Sequence, residues 1–219
     1  QKTVVIDNAL AFSGGLDLTV NRWDTPAHAL NDPGRVDPSG RPYPPFHDIQ
    51  MVVDGDAARS LGELARRRWK TASGRTIDEP TAGASQTDLW PVYVQPDFVD
   101  TRVGIARTMA AYGTASEIRE VETLFIEAIQ AAEQTIYFEN QFFTSKEVGI
   151  ALADRLAENP KLEVVLVGPK VHHSWLEERA MNTGRYFFMK RFDERGLADR
   201  VKLYHPALGN DDTSEGVMV

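Results

Sequence analysis

The first seventeen residues hold Lys2, Asp7, the pair Gly14-Gly15 and Asp17. A lysine ammonium neutralises an anion, a carboxylate orients a donor, and paired glycines leave room for a group to approach the backbone closely. Spacing alone also allows a plainer reading, with Lys2 an exposed lysine on an edge strand and Asp7 the aspartate of a hairpin. A second set is Glu139-Asn140-Gln141, three polar residues in succession inside an apolar strand pattern. Buried polar groups must find partners, so the triplet either faces a site or ends the strand in a turn. Strand alternation puts Glu139 and Gln141 on one face and Asn140 on the other. His47-Asp48 reads as part of a pocket or as the capped start of a strand. His172-His173 has no partner at metal-ligand spacing, so a solvated loop is the better reading and no metal is expected.

These residues need elements to hold them. Residues 3 to 18 read as a β-hairpin, with strand formers at Thr3 to Ile6, a turn at Asn8 and an end at Gly14-Gly15. Prolines crowd residues 23–46, a long loop, and residues 73–90 form a second one. HDIQMVVDG, 47–55, reads as a strand, and Asp56 as the N-cap of a helix over 57–71 whose Arg66-Arg67-Arg68 run is a solvated face. Ser116 reads as the cap of a helix to about residue 133, striped by Ile118, Val121, Phe125 and Ile129. TIYFENQFF, 135–143, is a strand, and Ser145 caps a helix over 146–158. LEVVLVGP, 162–169, is a fully buried strand. Residues 175–195 are helical despite Gly184, 201–206 form a strand, and Val217-Met218-Val219 start another. Helix and strand alternate through this half, which implies a mainly parallel sheet.

Composition narrows the function classes. The 219 residues carry a net charge of −8, against the basic surface that general nucleic-acid binding requires. Cysteine is absent, which excludes disulfides, thiolate metal sites and a cysteine nucleophile. No stretch approaches the length of an apolar membrane span, and no signal peptide is visible.

Two stretches carry a resemblance. QKTVVIDNALAFSGGLDL resembles the phospholipase D superfamily motif: histidine, any residue, lysine, four residues, aspartate, then a glycine turn and a polar residue. Lys2, Asp7, Gly14, Gly15 and Asp17 fit that spacing, and the histidine falls one residue before Gln1. IYFENQFFTS, 136–145, closely resembles the IYIENQYFTS element that members carry between two such motifs. Arg107-Thr108, EIREVETLFIEAI, WLEERAMNTGRY, GLDLTVNRWD and PFHDIQ extend the likeness over nearly the whole chain. None of His28, His47, His172, His173 or His205 has a lysine two residues on and an aspartate seven on. The chain is therefore expected to run from just after one motif histidine to just before the other, and to be inactive by itself.

The resemblance implies an α/β fold of two similar halves, 1–115 and 116–219, each a mainly parallel sheet flanked by helices, around a shared active site. It implies a phospholipid phosphodiesterase that works through a covalent phosphohistidine, with no cofactor because two lysines neutralise the phosphate. Lys2, Asp7 and Glu139 are then the catalytic residues of this chain, with Lys2 projecting toward the Glu-Asn-Gln triplet and Glu139 orienting a catalytic histidine. Gly14, Gly15, Asp17, Asn140, Gln141, His47 and Arg107 are the substrate-binding ones, Arg107 being either a phosphate contact or a surface charge. The implied partner is a phospholipid at a membrane surface, with no nucleic acid, the protein being soluble or peripheral at a cytoplasmic face. A cardiolipin-synthase-like transphosphatidylase and a non-catalytic phosphate- or headgroup-binding module are the alternatives.

Overall fold

A computed structural model describes residues 2–80, 88–169, 175–208 and 215–216. The expected strand start at Val217-Met218-Val219 and the pair His172-His173 lie outside the described residues. The protein is mixed α/β, with no closed barrel among the described residues. Its residues gather into two compact units, one formed by 1–22 with 48–104 and the other by 23–47 with 105–219.

In the first unit, β1 (Thr3–Ile6), β2 (Leu10–Gly14) and β3 (Gln50–Asp54) form an antiparallel sheet in that order. The mainly parallel sheet expected in each half is absent from this unit. The reason is local for β1 and β2. Asp7 and Asn8 both take positive φ, 51° and 56°, and the Ala9 N–H donates to the Ile6 carbonyl at 2.9 Å. Three residues, Asp7 to Ala9, separate the paired Ile6 and Leu10, a tight turn that allows only an antiparallel hairpin, and Asp and Asn are among the few non-glycine residues that tolerate its positive φ. Helix α1 (Gly55–Ser73) packs on the sheet through Ala58 and Leu61 and ends at Gly74 in the left-handed region. It begins two residues before the expected start: Asp54, not Asp56, is the N-cap, and Asp56 pairs within the first turn with Arg59 at 2.8 Å. Arg66 departs from the solvated face expected of its run. Its guanidinium donates to Asn8 Oδ1 at 2.8 Å and ties the hairpin turn to the helix.

The second unit contains the short pair β4 (Thr108–Met109) and β5 (Ile118–Arg119), then α2 (Glu120–Ala131), β6 (Thr135–Glu139), α3 (Lys146–Glu158), β7 (Glu163–Val167), α4 (Trp175–Glu194) and β8 (Val201–Tyr204). Helix α2 starts later than expected, because residues 118–119 pair with 108–109 before it can begin. Strand β6 stops at Glu139, four residues short of the expected end. Asn140 Oδ1 accepts from the Phe142 N–H at 2.9 Å, and this local turn competes with further strand pairing. Ser145 caps α3 as its sequence foretold, its hydroxyl accepting from the Val148 N–H at 3.3 Å.

The three long strands lie parallel in the order β6-β7-β8, with helices as the connections. One face of this sheet carries Ile136, Phe138, Val164, Leu166, Val201 and Leu203 into a core with Leu152, Leu156, Phe188 and Phe192 from α3 and α4. Fully burying each leucine or phenylalanine there contributes about 1.5–3 kcal/mol. The sequence reading of β7 as buried on both faces holds for one of them: Val164 and Leu166 are sealed, whereas Val165 and Val167 are half-buried. Their face also carries Tyr137, Glu139 and Tyr204, level with them in the register.

Candidate active site

Lys2, Gly14, Gly15 and Asp17 of the first unit collect at one end of its hairpin. Lys2 stands just before β1, and its ammonium lies 3.4 Å from Asp17 Oδ1. Arg22 approaches the other oxygen of Asp17 at 3.7 Å, so one carboxylate lies between two cations. Both Lys2 and Asp17 side chains are 41% exposed and open to a ligand. The space over the glycine pair is filled by the chain itself. A Cβ on Gly14 would lie 2.3 Å from the Ile49 carbonyl, and one on Gly15 would lie 2.0 Å from the Asp48 carboxylate. Close approach is therefore required here by β3 and by Asp48, whatever else the turn does. Asp7 sits in the tight turn at the other end of β1, roughly 16 Å along the chain from Lys2 at strand rise.

The second unit assembles a different set. Glu139 closes β6, and its carboxylate has two neighbours. Tyr137 donates its hydroxyl to Oε2 at 2.9 Å, and His47 Nε2 stands 3.3 Å from Oε1. The nearby carboxylate favours the protonated phenol and raises the Tyr137 pKa. Asn140 continues the sheet for one more bond, its N–H donating to the Val167 carbonyl at 3.0 Å, and Gln141 is half-buried beyond it. Asn140 also borders a cavity of about 220 Å³ whose other walls include Phe125, Phe138, Phe142 and Phe143.

Arg107, expected to bind phosphate or lie free on the surface, is held by Glu120. Its Nε donates to Oε2 at 2.8 Å and its terminal nitrogen to Oε1 at 2.5 Å, while Glu120 also accepts the Arg107 backbone N–H at 2.9 Å. The hydrogen bonds from Arg107 hold the Glu120 carboxyl below its ordinary pKa, and Glu120 raises that of the guanidinium. The pair clips the start of α2 to the preceding strand.

Sequence reasoning passed over the order within the proline-rich loop. Asp24, with a side chain only 4% exposed, accepts four hydrogen bonds. Oδ1 takes the Thr25 N–H at 2.7 Å and the Arg35 guanidinium at 2.9 Å. Oδ2 takes the Phe46 N–H at 2.8 Å and His28 Nδ1–H at 3.0 Å. Burial opposes the charge on Asp24, but the bonds from His28, Phe46, Thr25 and Arg35 outweigh it and lower its pKa to about 2. Arg35 is itself buried, with its remaining donors on the carbonyls of Tyr43, Ala29 and Leu30. The His28 ring meets the His47 ring edge to face, 5.5 Å between centroids. The available signal was a carboxylate and an imidazole four residues apart in RWDTPAH, with an arginine further along the same loop. Among the described residues no cluster of three or more histidine or acidic side chains is arranged to hold a metal ion.

Comparison with known proteins gives a family match. The family model described as Phospholipase D matches residues 1–159. Phospholipase D beta 2 of Arabidopsis thaliana is 23% identical over 77% of the chain and 26% of its own length. Phospholipase D alpha 1 of Vigna unguiculata is 29% identical over 65% of the chain and 24% of its own length. Phospholipase D1 of Saccharomyces cerevisiae is 25% identical over 72% of the chain and 12% of its own length. The chain thus spans about a quarter or less of these curated relatives.

Proposed function

Because the chain belongs to the phospholipase D family, we propose that it supplies part of a site that cleaves the phosphodiester of a phospholipid through a covalent phosphohistidine. Cleavage needs positive charge on the non-bridging oxygens and a proton for the leaving alcohol. Lys2 supplies charge, and Asp17 with Arg22 holds its ammonium at the exposed end of the hairpin. Gly14 and Gly15 let that turn close on Asp48, and Asp7 holds the opposite turn of the hairpin. Glu139 orients an imidazole, and Asn140, Gln141 and His47 border the substrate. Arg107 acts through the position of α2.

The attacking and protonating histidines are those of the family motif, which this sequence does not contain. The acceptor is water, and an acceptor alcohol would use the same intermediate for transfer. The protein works peripherally at a phospholipid surface on the cytoplasmic face. No helix among the described residues is long and apolar enough to cross a membrane.

The observation that carries this reading is the Lys2–Asp17 contact at 3.4 Å beside the glycine pair, which gathers four of the five spaced residues of the resembled motif, Asp7 apart, at one exposed end. The test is choline release from phosphatidylcholine by the full-length protein with EDTA present. Activity should persist in the chelator, and Lys2→Ala should lower kcat by roughly 10²–10³-fold, the scale for removing one charge-stabilising donor. Activity unchanged by Lys2→Ala, or abolished by EDTA, would overturn it.

A further inference from the structure

Two imidazoles of the second unit share a design. His28 donates Nδ1–H to Asp24 Oδ2 at 3.0 Å, and His47 Nε2 stands 3.3 Å from Glu139 Oε1. One nitrogen of each ring thus lies beside a carboxylate, and the other, Nε2 of His28 and Nδ1 of His47, has no partner among the described residues. The rings stand 5.5 Å apart at 79°, with side chains 30% and 36% exposed. Their support is buried: Asp24 is 4% exposed and Arg35 behind it 1%. His28 also holds a φ of 44°, in the left-handed region where histidine, like asparagine and aspartate, is enriched among non-glycine residues. A buried ion pair behind a half-exposed ring is more than a loop needs for its own order.

We propose that His28 and His47 form a two-imidazole site for a phosphate oxyanion, each donating one N–H from its outward nitrogen to a different oxygen. When protonated, an imidazole whose inner nitrogen meets a carboxylate still presents a second N–H at its outer nitrogen as a donor for an anion. The charged and titratable groups facing the two rings are Asp24 and Arg35 from the loop and Glu139 with Tyr137 from β6. With both rings protonated these sum to a net positive charge, as a phosphate ligand requires. The ligand chemistry is that of a phosphomonoester or inorganic phosphate, which presents several charged oxygens at once. The site deepens the proposed function, since a phosphomonoester is what hydrolysis of a phospholipid at its headgroup leaves behind, but its test reads binding rather than turnover.

The experiment is a ¹H–¹⁵N titration of the histidine side chains of the full chain in slightly acidic buffer. One arm adds inorganic phosphate; the other adds phosphatidylcholine vesicles with and without phosphatidate. The outer-nitrogen signals of His28 and His47 should move together along one binding curve, while exposed His205 stays put. A response to free phosphate assigns the site to the free ion, and a response only to phosphatidate vesicles assigns it to a lipid-borne phosphate; either supports the proposal. His28→Asn, which tolerates positive φ, and His47→Gln should each weaken binding by roughly tenfold to a hundredfold, the scale of one charge-assisted hydrogen bond. Both variants are to be matched to the parent by circular dichroism and melting temperature. Silence in both arms, equal movement of His205, or full affinity in either folded variant overturns the site. Choline release that persists when the imidazoles bind no phosphate overturns the site and leaves the proposed reaction standing. Phosphate binding without choline release supports the site and counts against the reaction alone.

Discussion

Replacing Asp24 by asparagine changes neither volume nor shape, yet the hydrogen-bond geometry gives it a definite cost. All four partners of the carboxylate are donors, two on each oxygen. An amide keeps one oxygen and turns the other position into a donor. With the NH₂ in place of Oδ1, both the Thr25 N–H and Arg35 would face it. With the NH₂ in place of Oδ2, His28 can move its proton to Nε2 and accept, and only the Phe46 N–H is orphaned. The second arrangement wins. An orphaned buried N–H costs about 1–3 kcal/mol. The carboxylate pKa, lowered from 3.8 to about 2, represents about 2 kcal/mol of native-state preference for the charge. The Phe46 bond enters both figures, so Asp24→Asn should destabilise by about 3 kcal/mol at neutral pH.

The sign of the pH dependence follows from a folded pKa below the unfolded one. The charge contribution is complete above about pH 4 and declines as pH falls toward about 2, with about half gone near pH 3. Urea unfolding of parent and Asp24→Asn between neutral pH and about pH 3 measures both quantities. The gap in stability should narrow by about 1 kcal/mol across that range. A loss below about 1 kcal/mol at neutral pH, or a gap that does not narrow, refutes the reasoning about this carboxylate.

Two further substitutions separate backbone from side-chain constraints. Gly14→Ala would place a methyl group 2.3 Å from the Ile49 carbonyl and 2.7 Å from Gln50 Cα, both backbone atoms. It should cost about 3 kcal/mol and expose the β3 amides to hydrogen exchange, whereas Gly15→Ala meets only the rotatable Asp48 carboxylate and should cost less; a reversed order would count against the close β2–β3 approach. Ser145→Ala removes the cap of α3 and should lower stability by about 1 kcal/mol in thermal unfolding, with Ser145→Asp near the parent value.

What could be read from residue order was what depends on near neighbours. The Ser145 cap, the turn at Asp7-Asn8 and the apolar stripe through Phe125 and Ile129 are local, and each stands where its pattern put it. The alternation of helix and strand after residue 116 likewise implied a parallel sheet, because parallel neighbours need a long crossover, while the order β6-β7-β8 came from the fold. The ends of elements were less legible. Nothing in TIYFENQFF alone decides between another strand bond and the Asn140 side-chain turn that stops β6, and the pairing of 118–119 with 108–109 delays α2 for a reason ten residues away.

The spacing of Lys2, Gly14, Gly15 and Asp17, and the polar triplet at 139–141, marked candidate residues because a motif is a pattern along the chain. Which groups touch was decided only by the fold. Arg107 spends its fork on Glu120, Arg66 turns inward to Asn8, and Asp24 gathers donors from residues as far apart as Thr25 and Phe46. A charged side chain reads as solvated unless a partner exists, and the partner's position is set by chain closure rather than by composition. That physical dependence kept the Asp24–His28 dyad and the His47–Glu139 contact out of sight until the loop and the sheet stood together in three dimensions.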